Sequence, residues 1–497
     1  MEPRSSDLLL RLRDDLAGFT APAVLDVIGP LGQSRLERGD HDGVAVVLDD
    51  RRDGIALLVK LFLLRQAMPK RLFVDALSAS VLERLRRAGL VRQRAGIVDA
   101  AVEVRPYGEL GGPDWLVVSD FGSDVTGRPV RADHVLGIGG ASLQLAGVTV
   151  RHQIETAVDI GTGSGVQALH LARHAGAVLA TDVSARALRL AALTAGLSGQ
   201  RWQLAAGSLY EPLRGRRFDQ IVANPPFVVS PGWSSGDGGH DYRDSGLPGD
   251  ELCRRLVTGL TAHLTPGGTG QLLANWVIDG ETSWEERIAT WLHGCECRAW
   301  VWQREVAEPG EYVSLWLRDA GLRPGTAQWR DRYRRWTDWF AKAGIAAVGL
   351  GVVNVRRTDQ ALDLICDDVP QAISQPTGTD VDRWFATRGV LDAMPDEGLW
   401  QLRPVAAADC ELVTVAPVRG EDGARLAVRL GSGLRWEIEC DETLARVVSA
   451  CDGSTPLDLL ATLAALRANA AESEVRAALG PVMRDLMQRG FLRLEAA

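Results

Sequence analysis

The chain has 497 residues, more than one hydrophobic core usually supports, so about three domains are expected. Its composition, 46% hydrophobic and 24% charged, is that of a globular protein, and charges break every apolar stretch before the length needed to span a bilayer. Membrane insertion is therefore excluded, no signal-peptide pattern opens the chain, a cytoplasmic location is expected, and the net charge of −9 disfavours indiscriminate adhesion to nucleic acid.

Residues 1–136 open with a helical pattern, Leu8, Leu9, Leu12 and Leu16 recurring at near-helical spacing. The apolar stretch 55–64, a helix around Phe73 and another over 79–89 follow, and then strands at 96–105 and 115–119. Three helices followed by a two-stranded wing describe a winged-helix-like module, suited either to substrate docking or to packing. Residues 51–100 hold eleven Arg or Lys against four Asp or Glu, a local balance of +7, with Arg84, Arg86 and Arg87 on one helical turn.

From 137 to 357 strands alternate with helices. Strands are expected at 157–160, 177–181, 202–205, 220–223 and 270–276, which implies an α/β domain with a doubly wound, mostly parallel sheet. Residues 358–497 read as a mixed α+β module, with strands near 412–418, 424–429 and 434–439 and a second winged-helix-like ending at Gly490, Phe491 and Leu492.

Within the α/β domain, Asp159 and Ile160 end a strand that runs into Gly161, Thr162, Gly163, Ser164 and Gly165 before a helix begins. Glycine permits the sharp turn and the close approach of a ligand. Asp182, 21 positions after Gly161, falls at the end of the next strand, where a carboxylate accepts both hydroxyl hydrogens of a ribose. The Gly-x-Gly-x-Gly spacing, with Asp159 just before it, resembles that of class I methyltransferases more than that of dinucleotide dehydrogenases, and the resemblance implies S-adenosyl-L-methionine, a sulfonium nucleoside without a pyrophosphate, as the cofactor.

A fourth strand ends at Asn224, Pro225, Pro226 and Phe227. The prolines stiffen the backbone and remove two N–H donors, so the Asn224 side-chain oxygen and the Pro225 carbonyl can accept both hydrogens of one planar NH2 group. The lone pair of such a nitrogen is delocalised. Two acceptors that fit it better as it becomes tetrahedral stabilise the transition state selectively, while Phe227 offers a flat face for stacking.

The stretch 157–276 resembles class I methyltransferases, Rossmann-like enzymes that share an Asn-Pro-Pro-aromatic turn: release factor glutamine, ribosomal RNA guanine-N2 and adenine-N6 methyltransferases. The resemblance implies that Gly161, Thr162, Gly163 and Gly165 line the methionine end of the cofactor and that Asp159 and Asp182 belong to its site. It implies that Ser208 and Leu209 border the adenine, Ser208 standing where the family often has an acid, and that Asn224 and Phe227 receive the target. A macromolecular substrate follows, first a protein glutamine of release factor type and otherwise a guanine-N2 or adenine-N6 in ribosomal or transfer RNA; a non-catalytic cofactor sensor is the third alternative.

Three further features carry less. His240, Asp241, Tyr242 and Asp244 read as a solvated loop. The run from Trp329 to Trp339 interleaves arginines with aromatics, as base-stacking surfaces do, but Tyr333, Trp336 and Phe340 at helical spacing read as packing. Seven irregularly spaced cysteines exclude a disulfide framework, and His293, Cys295 and Cys297 are too closely spaced for a zinc site, so no metal is expected.

Overall fold

The computed structural model describes residues 3–108, 112–233, 243–416 and 425–494. The chain divides into two compact units, one of Met1–Leu145 with His152–Asp367 and one of Ala146–Arg151 with Asp368–Ala497. The division at 367/368 lies ten residues past the boundary expected at 357, and the boundary expected at 136 falls inside the first unit.

An eight-stranded sheet organises the first unit. Numbered along the chain, its strands are β1 (Ile154–Ile160), β2 (Ala175–Asp182), β3 (Gln203–Ala206), β4 (Phe218–Ala223), β5 (Leu264–Ile278), β6 (Cys297–Ala307), β7 (Ala347–Arg357) and β8 (Asp363–Asp368), in the spatial order 8-6-7-5-4-1-2-3. Pairings from β3 through β5 are parallel, whereas β7 runs antiparallel to both β5 and β6. The chain leaves β1 for β2 and β3 on one side and returns to β4 on the other, which opens a crevice at the carboxyl ends of β1 and β4. A buried row of side chains crosses the strands: the His174 ring bonds Gln220 at 2.7 Å, Gln220 bonds Gln271 at 3.4 Å, Gln271 bonds Asn354 at 2.8 Å, and Asn354 donates to the Trp300 carbonyl at 3.1 Å.

The N-terminal region packs onto this sheet's helices. Helix Gly54–Phe62, capped by Asp53, is buried from Ala56 to Phe62. It is followed by strand Met68–Pro69, helices Lys70–Leu77 and Ala79–Arg87, and the hairpin of Val91–Arg94 with Ile97–Ala100. This hairpin takes Ile97–Ala100 out of the expected pairing of 96–105 with 115–119, which holds at Glu103, Val104 and Arg105, opposite Ser119, Val118 and Val117. Ala95 and Gly96, both at positive φ (48° and 78°), make the two-residue turn, while Glu103–Gly108 pairs separately with Asp114–Ser119.

That second hairpin lies between two helices of the α/β sheet. Tyr107 Oη bonds the His170 ring at 2.8 Å, and the Val118 and Leu116 amides donate to Thr194 and Ser198 at 2.9 and 3.0 Å. Leu9, Leu12 and Leu16 share one core with Ala187, Leu190 and Leu197 of helix Ala185–Leu197, so residues 1–136 do not form a separate body.

In the second unit, helix Gly378–Ala393 precedes a three-stranded antiparallel sheet (Cys410–Val415, Arg425–Leu430, Glu437–Cys440) and helices Glu442–Ser449, Leu457–Ala468 and Glu472–Arg489. Met483, Leu486 and Phe491 centre its core, and Gly490 at φ 89° ends the last helix before Leu492–Arg493 pairs with Val405–Ala406. Parts of two expected strands, 417–418 and 424, lie outside the described residues.

Candidate functional site

The loop after β1 begins as an extension of the sheet. The Gly161 and Thr162 amides both bond the Thr181 carbonyl of β2, at 2.9 and 2.8 Å, before the chain turns. Gly161, Gly163 and Gly165 all have positive φ, at 72°, 55° and 90°. At Gly165 a Cβ would also meet the Trp202 ring at 2.7 Å, whereas beside Gly161 and Gly163 the space is open.

Asp182 closes β2. Its Oδ2 accepts from the Gly163 amide at 3.0 Å and its Oδ1 from the Ser184 amide at 2.8 Å, so the carboxylate is fixed against the loop. Ser208 and Leu209 follow β3. The Ser208 amide donates to Glu211 at 3.1 Å, so an acidic side chain does brace this turn, from three residues further on than the family pattern places it. Leu209 adopts φ 50°, which turns the chain sharply there.

These groups border one cavity of about 310 Å³, in the range of small-molecule sites. Gly161, Thr162, Gly163, Asp182, Ser208 and Leu209 line it, and Asn224, Pro225 and Pro226 form the wall beneath β4. The glycine loop and the proline turn, 59 positions apart from Gly165 to Asn224, thus face the same space. Asn224 Nδ2 lies 3.4 Å from Ser142 Oγ, which leaves Oδ1 for another partner. The chain beyond the turn is pinned: the Val229 amide donates to Tyr312 Oη at 2.8 Å, and Trp336 Nε1 donates to the Val229 carbonyl at 3.1 Å.

Three sequence assignments change. Asp159 is buried behind the loop and is not part of the cavity wall; it accepts from Thr162 Oγ1 at 2.6 Å and from the Ala168 amide at 3.1 Å, and so positions the loop. Burial pushes its carboxyl up to about 7, with Asp182 adding to the rise. Gly165 is likewise outside the wall, buried against Trp202. Phe227, half-buried, is not part of the cavity wall, and its ring meets that of Trp316 in a T-shaped arrangement, centroids 6.0 Å apart.

The remaining features sort by burial. His240, Asp241 and Tyr242 lie outside the described residues. Asp244 is buried rather than solvated, held by Arg243 Nε at 3.1 Å, and it lines the cavity. In helix Ala327–Lys342, Trp329, Trp336 and Phe340 are buried, Tyr333 is half-buried, and the Arg332 guanidinium stacks 4.4 Å over Trp233. Of the N-terminal arginines, Arg84 makes two bonds to Asp15, at 2.5 and 2.7 Å, and Arg86 two to Glu83, which neutralises much of the expected basic turn. Cys295 and Cys297 are buried in the sheet core, and no group of three metal-ligating side chains gathers among the described residues.

Sequence reasoning missed a whole wall. Asp133, His134, Val135, Leu136 and Gly137 border the cavity from the segment before β1. Asp120 holds that segment: it exchanges hydrogen bonds with Val135 at 3.0 and 3.1 Å and takes a two-pronged ion pair from Arg186 of helix Ala185–Leu197. Burial holds the His134 imidazole below its ordinary value. No Lys or Arg lines the cavity among the described residues, whereas Asp133, Asp182 and Asp244 do. Such a lining suits a cationic nucleoside with a ribose diol and is unsuited to a pyrophosphate, so the residues fit S-adenosylmethionine.

Comparisons with known proteins concur on this segment. Residues 139–235 match the family model described as methyltransferase small domain; residues 16–101 and 382–494 each match a model described as a domain of unknown function. The release factor glutamine methyltransferase of Xylella fastidiosa is 43% identical over 145 residues, 27% of this chain and 50% of that one. Ribosomal RNA small subunit methyltransferase C of Alcanivorax borkumensis is 34% identical over 118 residues, 24% of this chain and 31% of that one. The ribosomal protein uL3 glutamine methyltransferase of Bradyrhizobium diazoefficiens is 35% identical over 136 residues, 25% and 42% of the two chains. The match thus spans half or less of each of these relatives. Among solved structures, the 16S rRNA N2 G1207 methyltransferase of T. thermophilus, in complex with AdoMet and guanosine, aligns over 45% of this chain and 58% of that one at 19% identity and a TM-score of 0.27.

Proposed function

We propose that the chain is an S-adenosylmethionine-dependent N-methyltransferase acting on a planar amide or amino nitrogen, in the first instance a glutamine side chain of a protein substrate. The observation that carries this reading is the shared cavity, in which the Asn224-Pro225-Pro226 turn faces the glycine loop and Asp182 across a lining without Lys or Arg. Asp182 would hold the ribose hydroxyls, Leu209 the adenine, and the loop from Gly161 to Gly163 the methionine end. The cofactor supplies a methyl group activated by its sulfonium charge.

The chain's own residues do the rest. Asn224 Oδ1 and the Pro225 carbonyl accept the two hydrogens of the target NH2 and orient its lone pair toward the methyl group. As the nitrogen becomes tetrahedral its hydrogens gain positive character and both bonds strengthen, which lowers the barrier without a strong base; the methylated nitrogen, now cationic and acidic, then releases one of these protons to solvent. The Tyr312 and Trp336 contacts keep the chain beyond the turn from relaxing away.

A protein substrate is favoured because Arg84 and Arg86, the centre of the basic N-terminal turn, are engaged by Asp15 and Glu83. One observation favours the second reading, an RNA guanine or adenine: the order helix, strand, two helices and hairpin over 54–100 would suit a winged-helix-like docking module, with Arg87 at the end of its second-to-last element left outside the Arg86–Glu83 bonds. Tritium transfer from labelled cofactor into a cell lysate, divided between protease and ribonuclease, tests both. Protease-sensitive label supports the glutamine reading and ribonuclease-sensitive label the nucleic-acid one; label in neither fraction defeats the enzymatic assignment.

A further inference from the structure

Gln167 stands in the first turn after the glycine loop, 4% exposed, between the buried apolar residues Val166 and Ala168. It lines the cavity. Its Nε2 donates to the Ser142 carbonyl at 2.7 Å, and its Oε1, also buried, has no hydrogen-bond partner among the described residues. The amide cannot reverse without setting Oε1 against the Ser142 carbonyl, two acceptors face to face. A buried acceptor fixed in this orientation destabilises the fold unless a ligand N–H meets it, and a leucine would fill the space without that cost.

We infer that Gln167 is a specificity residue whose Oε1 accepts a hydrogen bond from the α-ammonium group of the cofactor's amino-acid tail. This rests on the S-adenosylmethionine reading above. Topology selects the tail over the nucleoside: Asp182, Ser208 and Leu209 follow β2 and β3, on one side of β1, whereas Gln167 bonds Ser142, which in turn meets Asn224 at the end of β4 on the other side. Charge selects the ammonium over the carboxylate of that tail, because Oε1 is an acceptor and the lining is acidic.

Calorimetry on the full chain tests the inference with two ligands, S-adenosylhomocysteine, which carries the tail, and 5′-methylthioadenosine, which lacks it. Gln167→Leu should weaken S-adenosylhomocysteine about tenfold or more, as expected for a lost hydrogen bond to a charged group, and leave methylthioadenosine unchanged. Gln167→Met, of similar length and without either polar group, should have the same two effects; it carries the test alone if the leucine variant does not fold. Equal weakening of both ligands, or no weakening of either, in the variant that folds overturns the inference while the cofactor reading stands. Wild-type protein giving no heat with either ligand overturns both.

Discussion

Ser142 and Asn224 meet at 3.4 Å, a long contact whose value lies in orientation. Replacing Asn224 with Ala removes a transition-state acceptor and should lower kcat on the order of 100-fold or more with cofactor affinity nearly unchanged. Ser142→Ala should lower kcat by a smaller factor, about threefold to tenfold, because the amide loses a guide and keeps its acceptor. Steady-state kinetics with parallel cofactor calorimetry separates the two, and a kcat at the wild-type level for Asn224→Ala removes the turn from catalysis. Asp159 gives a pH signature. Its folded value of about 7 exceeds the ordinary 3.8, so the folded protein keeps a proton that the unfolded chain releases. Its contribution is full below pH 4, is lost as pH rises to about 7 and is flat beyond. Asp159→Asn, which retains an acceptor for Thr162 and Ala168, should therefore gain in Tm relative to wild type between pH 5 and pH 8; a constant difference contradicts this. The glycines, Asp182 and Asn224 were legible in the sequence because the chemistry requires those types at strand ends in that order. Gln167, Ser142 and His134 were not, since a buried polar side chain and a solvated one look alike until the fold brings a wall to them.

The row from His174 to Trp300 ties strands that pair in opposite senses. Asn354→Leu would strip a partner from both Gln271 and the Trp300 carbonyl in a dry environment, at a cost of about 2–4 kcal/mol. Urea unfolding measures that cost, and a loss below about 0.5 kcal/mol would mean the row is incidental. The parallel half of the sheet, β1 to β5, was legible from alternation of strand and helix patterns. The antiparallel half was not, in part because β7 carries Gly349 and Gly351 in its interior, residues that argue against a strand. Their reason is tertiary: a Cβ at Gly349 would lie 2.1 Å from Trp276 Nε1, and one at Gly351 2.0 Å from the Trp302 carbonyl. The first N-terminal hairpin escaped notice similarly, its Ala95-Gly96 turn lacking the Asn-Gly or Asp-Gly signature.

The α/β sheet and the N-terminal region fold as one unit. Sequence patterning placed a domain boundary near 136, where the period changes, but periodicity does not reveal which partner covers the outer face of helix Ala185–Leu197. The shared core predicts that removing residues 1–130 abolishes both a cooperative thermal transition and cofactor binding. A truncated chain that melts cooperatively and binds S-adenosylhomocysteine as the full chain does refutes the shared-core argument. The same packing sets an order of events on the ribosome. Leu9 and Leu12 leave the exit tunnel well before Leu190 and Leu197, the side chains that complete their core. At roughly 5–20 residues per second that interval is on the order of 10–40 s. Through it the first helices present an apolar face to the crowded cell, so the nascent chain is a client for chaperones that capture exposed leucines, and slowing translation between codons 20 and 190 would lengthen its dependence on them.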